Sequence, residues 1–236
     1  MPAGLCEIGE AIGILHDGVL VFETEDVTSV LMDCCLYDWV KDGKNPVQKY
    51  AESHAPAPGT DEYDLLQAYQ KARYRIMVPK ACLPGAGLHV VDVLSGEQLF
   101  LMDVNLSRNP LAGAVPLATR TILLGRYWIT GGAPLVIDRK ALKLALRRLD
   151  REKLLVGDTI ADAHRMALII VGACLESGAA EHVRYFPLLV LSAAVEPLAA
   201  HDMNHNCHHL HSFETAVALA SMGYHPQRVT ENTAAD

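Results

Sequence analysis

Residues 201–211 read HDMNHNCHHLH, with five histidines, a cysteine and an aspartate in eleven positions. On a helix, His201, His205 and His209 fall at i, i+4 and i+8 within one stripe. At that spacing imidazole nitrogens can share one ion, and a carboxylate or thiolate completes a tetrahedral Zn²⁺ site. Cys207 points away from the stripe on an ideal helix and joins the ligands if the segment is a loop, which Asn204 and Asn206 permit. The expected metal set is therefore His201, His205, His209 and Cys207, with zinc as the ion. The stretch is not HExxH: residue 202 is Asp, and no glutamate stands between the paired histidines to act as a metalloprotease base. The competing reading is an exposed polar segment between helices with adventitious affinity for metal.

A second constellation is the run RKALKLALRRLDREK from residue 139. Lys140, Lys143, Arg147 and Arg151 form a basic stripe opposite Leu142, Leu146 and Leu149, and such a helix can follow phosphates. No aromatic residue interleaves with the cations and the whole chain is acidic, so nucleic acid is not the favoured partner. His164 lies among apolar residues and reads as a core histidine bonded to backbone. His89 alternates onto one face of a strand with no evident partner. Cys174 sits on an apolar helix face, where a thiol is inert. No GxSxG elbow and no GK[ST] phosphate loop occur.

The elements that must position these groups follow from periodicity. Half of the 236 residues are hydrophobic and a fifth are charged, which is globular composition. Over residues 1–70, Lys and Arg number 3 against 13 Asp and Glu; over 71–153 the count is 14 against 6, and over 154–236 it is 3 against 9. Acidic and basic segments that face each other in the fold account for this asymmetry. The longest apolar runs, 166–175 and 187–195, are too short to cross a bilayer. The N-terminus has no basic stretch before its apolar residues, which argues against a secretory signal. Six scattered cysteines without a CxxC pair point to reduced thiols and a cytoplasmic setting.

The first section reads as helices over DVTSVLMDCCLYDWV, PVQKYAESH and DEYDLLQAYQKA, with Asp26, Pro46 and Thr60 marking their starts. GVLVFETE is an early strand. From residue 73 the period changes to that of strands. YRIMV is closed by Pro79, LHVVDVL and EQLFLMDV flank Ser95-Gly96, and LATRTILL and YWIT flank Gly125-Arg126. After residue 138 helices return. Asp138 caps the basic helix, Asp158 or Thr159 caps DTIADAHRMALIIVGACLES, and Gly178 stops the latter. The expected class is α+β: a central bent antiparallel sheet or small β-barrel flanked by N-terminal and C-terminal helices. The expected divisions are 1–137, a helical entry plus β-rich domain, and 138–236, a helical section that packs with it or stands beside it.

The stretches DCCLYDWVKDGKNPVQKY (33–50), QKARYRI (70–76), GLHVVDVLSGEQLFLMDVNLS (87–107) and GAVPLATRTILLGRYWITGG (113–132) resemble a region of uncharacterised bacterial proteins, many of which carry a C-terminal SEC-C zinc motif. The resemblance covers about 100 residues and implies no reaction. The zinc ending of those proteins is absent here, so their metal module does not transfer to Cys207. Taken together, these features predict a bacterial cytoplasmic, non-catalytic binding or adaptor module that uses its sheet surface or basic helix. Its partner is expected to be another protein or a second copy of itself, the latter through the apolar runs LIIVGAC and PLLVLSAAV. A zinc-dependent hydrolase built on the 201–211 histidines is the competing class, and a nucleic-acid-associated protein using the basic 139–151 helix is the third.

Overall fold

In the computed structural model, residues 2–178 are described, except 23, 109–114, 132 and 157–158. Helix α1 (Ala3–Ala11) leads into a two-residue ribbon, β1 (Leu15–His16) and β2 (Val19–Leu20). Three helices follow: α2 (Glu25–Tyr37), α3 (Pro46–Ser53) and α4 (Asp61–Gln70). The strands β3 (Arg73–Leu83), β4 (Gly87–Asp92), β5 (Gln98–Met102), β6 (Leu117–Leu124), β7 (Tyr127–Thr130) and β8 (Leu135–Val136) come next, with the short helix α5 (Val104–Ser107) between β5 and β6. The described chain ends with α6 (Arg139–Arg151) and α7 (Ile160–Ser177).

The sheet order β3-β4-β5-β7-β6, with β3 also paired to β6, closes a five-stranded barrel, and β8 adds to the outer edge of β6. The expected mixed α+β class with a small barrel is what the chain forms. All barrel pairings are antiparallel except β5 with β7, which is parallel. Closure depends on β3, whose first half pairs with β6 and whose second half pairs with β4, Met77 belonging to both ladders. The strand does not end at Pro79 as its sequence suggests. Its register with β4 shifts between Pro79 and Ala81, and a bulge tolerates the missing proline N–H while bending the strand around the barrel.

Two apolar cores result. Met77, Leu88, Val90, Leu99 and Leu101 fill the barrel. A larger core joins the outer face of β3 and β6, through Tyr74, Ile76 and Ala118, to Ile8 and Ile12 of α1, Val30, Leu31 and Cys34 of α2, Leu149 of α6, and Ile170 and Cys174 of α7. Helices α6 and α7 thus share their core with the N-terminal helices. Within the run LIIVGAC, Leu168 is half-buried and Ile169 to Cys174 are buried there. PLLVLSAAV lies outside the described residues.

Local signals set most boundaries. Asn45 and Gln48 form a reciprocal capping box on α3, Thr60 caps α4, Asp138 caps α6, and Thr159 with Asp162 boxes α7. Gly178 closes α7 at φ +74, where a side chain would be strained. Gly125-Arg126 makes the two-residue turn expected between β6 and β7. The connection around Ser95-Gly96 is longer than a two-residue turn. Asp92 accepts from Leu94 N at 3.1 Å and from Ser95 Oγ at 2.8 Å, and it orders a five-residue loop. Helix α2 begins after Thr24 instead of Asp26, and GVLVFETE contributes only the two residues of β2.

A buried charge cluster and an exposed basic helix face

Helix α2 turns Asp33, Cys34 and Tyr37 toward the barrel, and Asp38 stands at its C-cap. Arg120 projects from β6 into the same space. Its Nε donates to Asp33 Oδ2 at 2.8 Å and its Nη2 to Asp38 Oδ2 at 2.5 Å. The guanidinium also lies over the rings of Tyr37, at 4.4 Å, and Tyr74 of β3, at 5.4 Å. His164 of α7 completes the cluster, with Nδ1 3.2 Å from Asp38 Oδ1. It is therefore held by a side-chain carboxylate and not by backbone. The side chains of Arg120 and Asp38 are 3% and 1% exposed. Gly131 lets Arg120 and Asp33 approach, since a Cβ there would stand 3.1 Å from Arg120 Cβ and from Asp33 Oδ1.

The electrostatics of this cluster are closed on themselves. Burial pushes the Asp33 carboxyl up, and Arg120 pulls it back through charge and hydrogen bond. Burial alone would lower the guanidinium pKa, but Asp38 and Asp33 outweigh it, and Arg120 stays charged. The Cys34 thiol is pushed well above its ordinary value, first by burial and then by Asp38 and Asp33, so it is not a nucleophile. Asp33, Cys34 and Asp38 do place ligand atoms within 4.8 Å of one another, a spacing that could hold a cation. The cation that already bridges the two carboxylates is Arg120, and a metal there would have to displace it.

Arg75 is a second paired arginine, half-buried on the opposite face of β3. Its Nη1 donates to Asp92 at 2.7 Å and Glu97 at 2.8 Å, and its guanidinium covers Trp128 at 4.7 Å. Its Nε and the hydroxyl of its register partner Thr119 are buried without hydrogen-bond partners. Elsewhere a cleft of about 600 Å³ opens between the C-terminal ends of α1 and α7, lined among others by Glu10, His16, Arg148 and Glu176. None of the charge-cluster residues lines it.

Helix α6 shows the reverse arrangement. Ala141, Leu142, Ala145 and Leu149 are buried, while Arg139, Lys140, Lys143, Arg147 and Arg151 are all exposed. Among the described residues no carboxylate lies within ion-pair distance of these five. Glu152, which follows Arg151, is held bidentately by Arg165 at 2.8 and 3.0 Å. Among the described residues, only Arg120 carries an ion pair from the basic middle section to the acidic first section.

The predicted metal residues His201, His205, His209 and Cys207 lie outside the described residues. His89 does have a partner, the Phe100 ring at 5.0 Å across the β4–β5 pair. Cys174 is buried, and burial pushes its thiol up to about 12, in keeping with an inert core position. No sequence motif joins Asp33, Asp38 and Arg120 as a group. Two signals mark them: acids on the core-facing side of α2, and one arginine inside the otherwise uncharged run LATRTILL.

A family model for a family of unknown function, DUF7986, matches residues 4–165, which is 162 of 236 positions. The chain belongs to this family. The match runs from α1 into α7 and includes Asp33, Asp38, Arg120, His164 and all of α6, and it ends before the histidine-rich stretch. No curated protein and no solved structure matches the chain. Among the described residues, no helix is long and apolar enough to cross a membrane.

Proposed function

We propose that the protein is a non-catalytic binding module, a barrel-and-helix scaffold that holds α6 rigidly and offers its outer face to an acidic partner. The carrying observation is how the charges are distributed. A general acid or base must come within hydrogen-bond reach of its substrate, whereas Asp33, Asp38 and Arg120 are sealed and spent on one another. The five cations of α6 are exposed, and among the described residues no carboxylate lies within ion-pair distance of them. The small barrel adds no argument, because one fold serves many functions.

The test uses the full chain and fluorescein-labelled poly-glutamate at low ionic strength. Binding is expected for the natural protein and is expected to be lost in a Lys143→Glu/Arg147→Glu variant whose unfolding curve is unchanged. An absence of binding by the natural protein, or binding indifferent to the charge reversal, overturns the proposal.

A further inference from the structure

Resting on that binding reading, and against the expectation from the acidic net charge of the chain, we infer that the partner of α6 is double-stranded nucleic acid, gripped by its phosphates without reading of sequence. At 100° per residue, Lys140, Lys143, Arg147 and Arg151 fall within an arc of about 80°. Over these eleven steps the helix rises about 16 Å, so the row presents roughly one cation per turn of about 5.4 Å. A band of positive charge at that spacing, with exposed Asp150 at its edge, suits the phosphates of a stiff duplex, which carries one negative charge per about 1.7 Å of axis. The row is also aligned before binding. Ala141, Leu142, Ala145 and Leu149 anchor the opposite face in the core, which spares the ordering cost a loose basic segment pays.

The same face argues against the other acidic partners. While Leu144 and Leu146 are half-buried against the core, the exposed side chains of α6 are Arg139, Lys140, Lys143, Arg147, Asp150 and Arg151. None is aromatic, so there is no platform on which the bases of a single strand could stack. None is apolar, so the helix lacks the buried anchor that protein interfaces centre on. A helix that binds membranes lays its apolar face into the lipid, and the apolar face of α6 is committed to the core. What remains is a purely electrostatic contact with a polyanion rigid enough to match the row.

The experiment is a salt titration of the full chain against a short fluorescein-labelled duplex DNA, read by anisotropy. Two arms run beside it: the single strand of the same sequence, and vesicles of mixed phosphatidylcholine and phosphatidylserine. Duplex binding is expected with a log–log salt slope of about −3.6, four phosphates at about −0.9 each, and equal for unrelated sequences. Arg147→Gln alone is expected to reduce the slope by about 1, and Lys143→Glu/Arg147→Glu to weaken binding at least tenfold. Tighter binding to the single strand or the vesicles overturns the inference, as does a slope indifferent to Arg147→Gln. If poly-glutamate binds through α6 and the duplex does not, the duplex inference fails and the binding reading stands. If neither binds, both fail.

Discussion

Arg120 and the cations of α6 are the same chemistry put to opposite ends. Arg120 is 3% exposed and meets two carboxylates and two tyrosine rings. Its charge ties β6 to α2, and through Asp38 to His164 of α7, across the layer where helices meet barrel. The cations of α6 are exposed, and among the described residues no acid lies within ion-pair distance of them. Buried charge in this protein is structural, because desolvation makes an unpaired partner costly. Exposed charge is available, because water already solvates it and little stability depends on it.

The comparison can be broken first at Arg120. Arg120→Ala leaves Asp33 and Asp38 buried without their counter-ion and is expected to cost about 3–5 kcal/mol in urea unfolding. A loss below about 1 kcal/mol would show that the cluster is not the tie between the layers. The next effect is one of pH. The Cys174 thiol goes from an ordinary value of 9.0 to about 12 on burial, and Cys34 and Tyr74 move the same way, each chiefly by burial. Between pH 9 and 12 the unfolded chain has released protons that the folded one retains, so stability falls as pH rises through that window. For Cys174 the loss is at most about 4 kcal/mol, at about 1.36 kcal/mol per pH unit. Unfolding free energies measured from pH 8 to 11 should decline, and less steeply in Cys174→Ala. A flat profile contradicts the burial of these groups.

Much of the frame is legible in the sequence because local chemistry decides it. Thr60, Asp138 and Thr159 cap helices where short polar side chains precede apolar periodicity, and Gly125-Arg126 turns a hairpin between two alternating runs. Helix α1 was not legible, since AGLCEIGEA has no capping side chain and few polar residues to set its period. Pro79 misleads because its effect depends on whether a rung or a bulge falls there, which the partner strand decides. The charge cluster is harder still. Arg120 stands 87 residues from Asp33, and His164 stands 126 from Asp38; only barrel closure and the return of α7 bring them together. The basic stripe was legible as a pattern, but whether acids of the first section cover it is a tertiary fact.

The most direct test compares stability and binding in a single protein, Lys143→Glu/Arg147→Glu. The account predicts a stability within about 0.5 kcal/mol of the natural chain, as for exposed positions away from packed features, together with the loss of poly-glutamate binding. A variant that unfolds several kcal/mol more easily would contradict the account. It would mean that the cations of α6 hold the fold, as Arg120 does, and are not free to hold a partner.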